Sequence, residues 1–164
     1  MSPKPIILAF LMAHSFYASA QKFDHEKTNR AAQSVFVEIG GNGLGFSANY
    51  DSRFNKSEKG LGFRVGIGIY PTIPSILTIP VGINHLAGKA PHYFESGVGV
   101  TYVSLLSFNF FGSNVKANGI AFIPSIGYRY QPSGKGFTGR VFISPLIASG
   151  GAQFFGGLSG GFKF

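Results

Sequence analysis

Across residues 61–69 apolar side chains alternate without a break with small or charged ones: Leu61, Phe63, Val65, Ile67 and Ile69 against Gly62, Arg64, Gly66 and Gly68. Successive side chains of an extended chain point to opposite faces, so this segment predicts a strand with one oily face and one small, charged face. The pattern recurs along the chain. Residues 34–41 set Val35, Val37 and Ile39 against Phe36, Glu38 and Gly40, and residues 44–54 set Leu44, Phe46, Ala48 and Tyr50 against Gly45, Ser47, Asn49 and Asp51. Residues 76–85 carry Leu77, Ile79, Val81 and Ile83 on one face, and residues 92–104 carry Phe94, Val98, Val100 and Tyr102 opposite Tyr93, Glu95, Gly97, Gly99 and Thr101. Three more segments follow at 118–130, 137–146 and 153–164, with Arg129 and Arg140 on the minority face and Phe142 breaking its polarity.

Turn chemistry separates these segments. Gly41-Asn42-Gly43 predicts a tight hairpin, because these residues accept positive φ. Polar turns are expected at 55–60, 86–91 and 131–136, a proline-bounded loop at 71–75, and longer connections at 105–117 and 147–152. Pro80 predicts an edge position or a bulge. Eight strands of about ten residues result, the length a tilted strand needs to cross the hydrocarbon of a bilayer. No helix is required.

Composition decides which solvent the oily face meets. Of 164 residues, 24 are Gly, 18 Phe and 7 Tyr, with only 14 basic and 6 acidic side chains. Glu38, Asp51, Arg64, Glu95, Arg129, Arg140 and Lys163 all fall on minority faces. Seven charges make an impossible dry core for a soluble sandwich, but they suit the polar interior of a barrel whose outside is wetted by lipid. The expected fold is therefore all-β: an eight-stranded antiparallel up-and-down transmembrane β-barrel. Closure removes the free sheet edges that a bilayer cannot satisfy. The net charge of +8 comes from scattered residues, with no basic run beside stacking aromatics, so nucleic acid is excluded as a partner.

The chain ends refine the domain plan. Lys4, an apolar run at 6–12 and Ala18-Ser19-Ala20 predict a cleaved signal peptide at residues 1–20. Residues 21–33 are polar and aperiodic, and 34–164 form the barrel. No cysteine is present, so neither a lipoprotein leader nor a disulfide is expected. With an even strand number both ends lie on the periplasmic side, which puts the turns at 55–60, 86–91 and 131–136 there too.

Leu158, Phe162 and Phe164 alternate to an aromatic terminus. That ending resembles the C-terminal signal that the barrel-assembly machinery reads in outer-membrane proteins, although Gly156 and Gly160 stand where bulkier residues are usual. Over residues 34–164 the chain is similar to small OmpA/OmpX-like outer-membrane barrels. More narrowly, it resembles a subfamily of such barrels marked by a GxGFRVGxGY strand, an IPVGxNxLxGK strand and turn, and an HxFExGxGxTY strand, here at 60–70 with one residue more before the tyrosine, 79–89 and 92–102. The resemblance implies the fold and a Gram-negative outer-membrane location, and hardly any activity.

An eight-stranded barrel has an interior just wide enough for side chains to fill it. Glu38, Asp51 and Glu95 are therefore expected to pair with Arg64, Arg129 and Arg140 in a filled polar lumen, giving a structural or interacting component without catalysis or cofactor. One alternative is a narrow passive channel. Another is a lipid A-modifying enzyme, since palmitoyltransferases and deacylases use barrels of this size. Its nearest residues, His92, Glu95 and Ser96, do not make a triad: four strand residues hold His92 and Ser96 about 13 Å apart, and Glu95 has the opposite parity. His25, His85 and His92 lack partners at metal-ligand spacing. The connections opposite the periplasmic turns are oily, with Ile73, Leu105, Leu106, Phe108, Phe110, Phe111 and Ile147. They are expected either to contact lipopolysaccharide or a membrane or surface protein partner, or to belong to strand ends and the aromatic girdle.

Overall fold

The computed structural model describes residues 31–73, 75–105, 118–148 and 151–164. The leader, most of the 21–33 segment and the loop residues Phe108, Phe110 and Phe111 lie outside them. Eight strands are present: β1 (Gln33–Ile39), β2 (Phe46–Arg53), β3 (Gly60–Tyr70), β4 (Ile76–Lys89), β5 (His92–Leu105), β6 (Asn118–Tyr130), β7 (Gly136–Ala148) and β8 (Gly151–Lys163). Each pairs antiparallel with its sequence neighbour, and β1 closes on β8 with Ser34 opposite Lys163 and Ile39 opposite Leu158. Following opposed partners round the wall from Val35, through Tyr50, Val65, Val81, Val100, Phe122 and Ile147, leads to Ala152 instead of Phe162. The register has slipped ten residues in one circuit, a shear that sets the tilt of the strands, and a cylinder of only eight strands leaves an interior that side chains can fill.

The two faces are sorted as the alternation requires. Val37, Ile67, Phe137 and Val141 are exposed on the outside, whereas Ser34, Glu38, Asp51, Arg64, Arg129 and Lys163 are buried inside. Strands β3 to β8 run 11 to 14 residues, enough for a tilted strand to cross hydrocarbon. At the mouth bearing the chain ends, here the near mouth, Phe63 packs against Tyr50 and Phe54, and His92 stacks on Tyr128. Such rings form the girdle at a membrane interface.

Several expectations need correction. β1 and β2 are only 7 and 8 residues long, because the chain leaves the wall at Gly40 and returns at Phe46. The Gly41–Gly43 segment is a single 3-10 turn tucked into the lumen, with Asn42 buried, instead of an exposed hairpin tip. Leu44 takes φ 66°, a value a branched side chain rarely adopts, and so is no strand residue. β4 continues to Lys89, which leaves only Ala90 and Pro91 as the connection. Pro80 is neither at an edge nor in a bulge: it faces inward, opposite Thr101, and the β3–β4 register resumes unshifted beyond it. The missing proline N–H leaves two pairs of the ladder unbridged, Gly66 with Pro80 and Ile67 with Ile79. Finally, Leu105 and Ile147 lie within β5 and β7, which leaves Ile73 as the oily residue of a described connection.

Candidate functional site

The inward faces converge on one cluster of ions. Asp51 and Arg53 come from β2, Arg64 from β3, Asn84 from β4, Glu95 from β5, Arg129 from β6, Arg140 from β7 and Glu38 from β1. Glu95 is its centre. Its Oε1 accepts from Arg64 Nη2 at 2.6 Å and from Arg140 Nη1 at 2.9 Å, and its Oε2 accepts from Arg129 Nε at 2.7 Å. Arg129 Nη1 also reaches Asp51 Oδ1 at 3.1 Å, while Arg53 Nη2 donates to the same oxygen at 2.6 Å. Asn84 bridges the layers, donating to Asp51 Oδ2 and Glu95 Oε1 at 2.5 and 3.1 Å. Higher in the barrel Arg140 pairs with Glu38, and Arg64 Nη1 lies 3.5 Å from the same carboxylate.

The structure thus brings all six charged residues singled out above into one network and adds Arg53, Asn84 and Gln131. Arg53 shares the parity of Asp51, a signal that its place beside a polar turn obscured. Three carboxylates face four guanidiniums here, a buried excess of one positive charge. Two aromatic rings share the load: the Arg140 guanidinium lies 4.3 Å from the Phe36 ring centroid and 5.2 Å from that of Phe142. Cation–π contact of this kind is strongest where water is excluded. It also explains why Phe142 stands on an otherwise polar face, in a hollow where a Cβ on Gly41, Gly127 or Gly157 would collide with it.

Both mouths of this network are covered. At the near mouth Lys163 pairs with Glu58 and donates to Pro132 O at 2.7 Å, while Gln131 Nε2 donates to Glu58 O at 3.1 Å. On the other side the Gly40–Gly45 loop lies over the cluster, held by Thr78 Oγ1 to Gly43 O (2.9 Å) and Thr101 Oγ1 to Asn42 O (2.5 Å). The void between Asn42, Arg64, Asn84 and Ser125 has no room for a water-sized sphere.

Beyond the loop the far mouth opens into a cup of about 680 Å³ whose surface is mainly apolar, lined by Leu44, Tyr70, Val103, Ala121 and Phe155 among others. Among the described residues no charged side chain lines it. Of the residues weighed for catalysis, His92 is on the lipid side with Nδ1 2.6 Å from the Tyr128 hydroxyl, and Glu95 is inside the wall. Among the described residues no group of three metal-ligating side chains occurs. Leu158, Phe162 and Phe164 are exposed on the outside of the closing strand and its terminus.

No protein-family model matches the sequence, and no curated protein matches it. Among solved structures, the crystal structure of the N-terminal β-barrel domain of Pseudomonas aeruginosa OprF is similar, with a TM-score of 0.61 over 83% of this chain and 98% of that one, at 12% identity. At such identity the likeness speaks for the fold. In fold this chain is a closed, eight-stranded, up-and-down transmembrane β-barrel of the kind seen in the N-terminal domain of OprF.

Proposed function

We propose that this protein is an integral outer-membrane barrel of a Gram-negative cell, delivered with loss of residues 1–20. In this reading it acts as a structural or interacting component, and its lumen neither conducts nor catalyses. The observation that carries the reading is Glu95 held by three guanidiniums from three strands at the centre of the lumen. An ion or solute passing through would have to break several charge-assisted bonds in a poorly solvated space, where each lost partner costs kilocalories. The outward His92 and the absence of a nucleophile beside Glu95 in the described lumen support a non-catalytic role.

Purified protein in planar bilayers tests this directly. Silence, or rare brief openings, is the expected record; a steady, large conductance overturns the closed-lumen reading. On the outer surface, fully exposed Ile73 supports contact with lipopolysaccharide or a partner protein. Extraction in mild detergent should bring one of these along, and a preparation free of both counts against the contact.

A further inference from the structure

We propose that the far half of the barrel holds a binding site for one acyl chain of a membrane lipid, admitted from the bilayer through the seam between β6 and β7. Two independent features meet there. The β6–β7 ladder pairs Ile126 with Ile143 and, further out, Phe122 with Ile147, but none of the three residue pairs between is bridged. Pro124 and Pro145 are the opposed pair at the middle of that gap, while each still pairs on its other side, with Val98 and Phe154. In an antiparallel ladder every second opposed pair exchanges two N–H···O bonds; the register places Pro124–Pro145 on such a pair, and two prolines can supply neither bond. The wall therefore lacks rungs over four residues, about 13 Å of strand. Among the described residues this is the one seam where two prolines oppose each other; the β3–β4 ladder is also unbridged beside Pro80, over two pairs, but only one of the opposed residues there is a proline, and Pro80 faces the lumen.

Both faces of the gap suit a hydrocarbon chain. Outside, Phe122, Ile126 and Ile143 are exposed in the lipid-facing belt. Inside, Ser144 pairs directly with Phe155, and Ala121 follows Ile123 on the inward face of β6; Ala121 and Phe155 both line the far cup. The gap thus lies between lipid and the residues that flank an apolar cavity of about 680 Å³, within the range of ligand sites. Its floor is the Gly40–Gly45 loop, which separates it from the ion network. Beside Phe155, the Ser144 hydroxyl is completely buried and has no hydrogen-bond partner. A buried hydroxyl without a partner is costly. Ser144 and Ile123, the inward residues of the gap, are both completely buried, and neither lines the cup, so they close the inner side of the seam when it is at rest.

The test uses the full mature chain in phosphatidylcholine vesicles containing a phosphatidylcholine with a photoactivatable diazirine in one acyl chain. Mapping of the crosslinks should find label on inward residues Val103, Ala121 and Phe155 as well as on the belt. Ala121→Trp fills the cup and should reduce the inward label about tenfold, the effect of displacing roughly two methylenes. Val103→Phe serves the same purpose should the larger substitution prevent folding, which heat-modifiable gel mobility reports. Pro124→Val with Pro145→Val restores the rungs and should slow the appearance of inward label while leaving belt label unchanged. Label confined to Phe122, Ile126 and Ile143, or inward label that the filling variants do not reduce, overturns the site. Unaltered labelling kinetics in the double valine variant overturn the route through the seam.

Discussion

Replacing Glu95 with glutamine keeps the shape of the side chain and removes its charge from the point where Arg64, Arg129 and Arg140 meet. All three lie within 2.9 Å of its oxygens through at least one nitrogen each. The amide also turns one acceptor into a donor, so at least one guanidinium N–H then faces another N–H. With Glu38 and Asp51 left against Arg53, Arg64, Arg129 and Arg140, the buried excess rises from one positive charge to two. Removing one partner of a buried ion pair costs about 3–5 kcal/mol, and loss shared by three partners puts this change near the top of that range. The folded-to-unfolded ratio should fall by roughly a thousandfold. Urea unfolding in phospholipid vesicles, followed by heat-modifiable mobility, should show the midpoint lower by on the order of 2 M for an m-value near 2 kcal/mol/M. Glu58→Gln is the comparison: its carboxylate is 33% exposed at the near mouth, so its loss should stay within about 1 kcal/mol. Adding Arg64→Met to Glu95→Gln restores the original charge excess and should recover at least about 1 kcal/mol in a double-mutant cycle. A Glu95→Gln midpoint no lower than that of Glu58→Gln would refute the reasoning, because it would mean that water solvates the lumen charges.

Three further outcomes follow from particular contacts. Thr78→Val with Thr101→Val removes the two hydroxyls that hold the inward loop, and hydrogen exchange at residues 41–45 should quicken by about tenfold or more, at about 1 kcal/mol per bond, with the strands unchanged. Gly161→Ala sets a methyl against Val35 O and Phe36 on the strand that closes the wall, and should destabilise the barrel by about 3 kcal/mol, seen as a reduced heat-modifiable fraction. Gly156→Ala, whose Cβ would approach nothing nearer than Phe142 O at 3.6 Å, should fold like the parent in the same gel assay.

Sidedness was legible because it is local. A period of two fixes which face each residue takes, and Val65 against Arg64 or Val100 against Glu95 needs no knowledge of the neighbouring strand. Who meets whom is a different matter: Glu38 and Arg140 are 102 residues apart, and only the strand register brings them together. The inward loop at Gly40–Gly45 was illegible for a related reason. Gly-Asn-Gly fits an exposed hairpin just as well, and what draws it inside is the pair of hydroxyls on β4 and β5. Gly88 and Lys89 read as turn residues, yet Lys89 pairs with His92 inside the ladder. Pro80 was misread because edge and bulge are the options of an open sheet, whereas a closed wall has no edge and absorbed the unbridged pairs in place.

Ser34 and Lys163, nearly at opposite ends of the described chain, are neighbours in the wall. A cylinder sealed by its first and last staves has no useful fragment. Before the final stave arrives, the carboxylate on the first has no mate on the seventh, and the oily belt has nothing behind it. Any cell making this polypeptide must therefore keep all of it open, escorted and unaggregated until synthesis and delivery are over, and then commit it in a single concerted event.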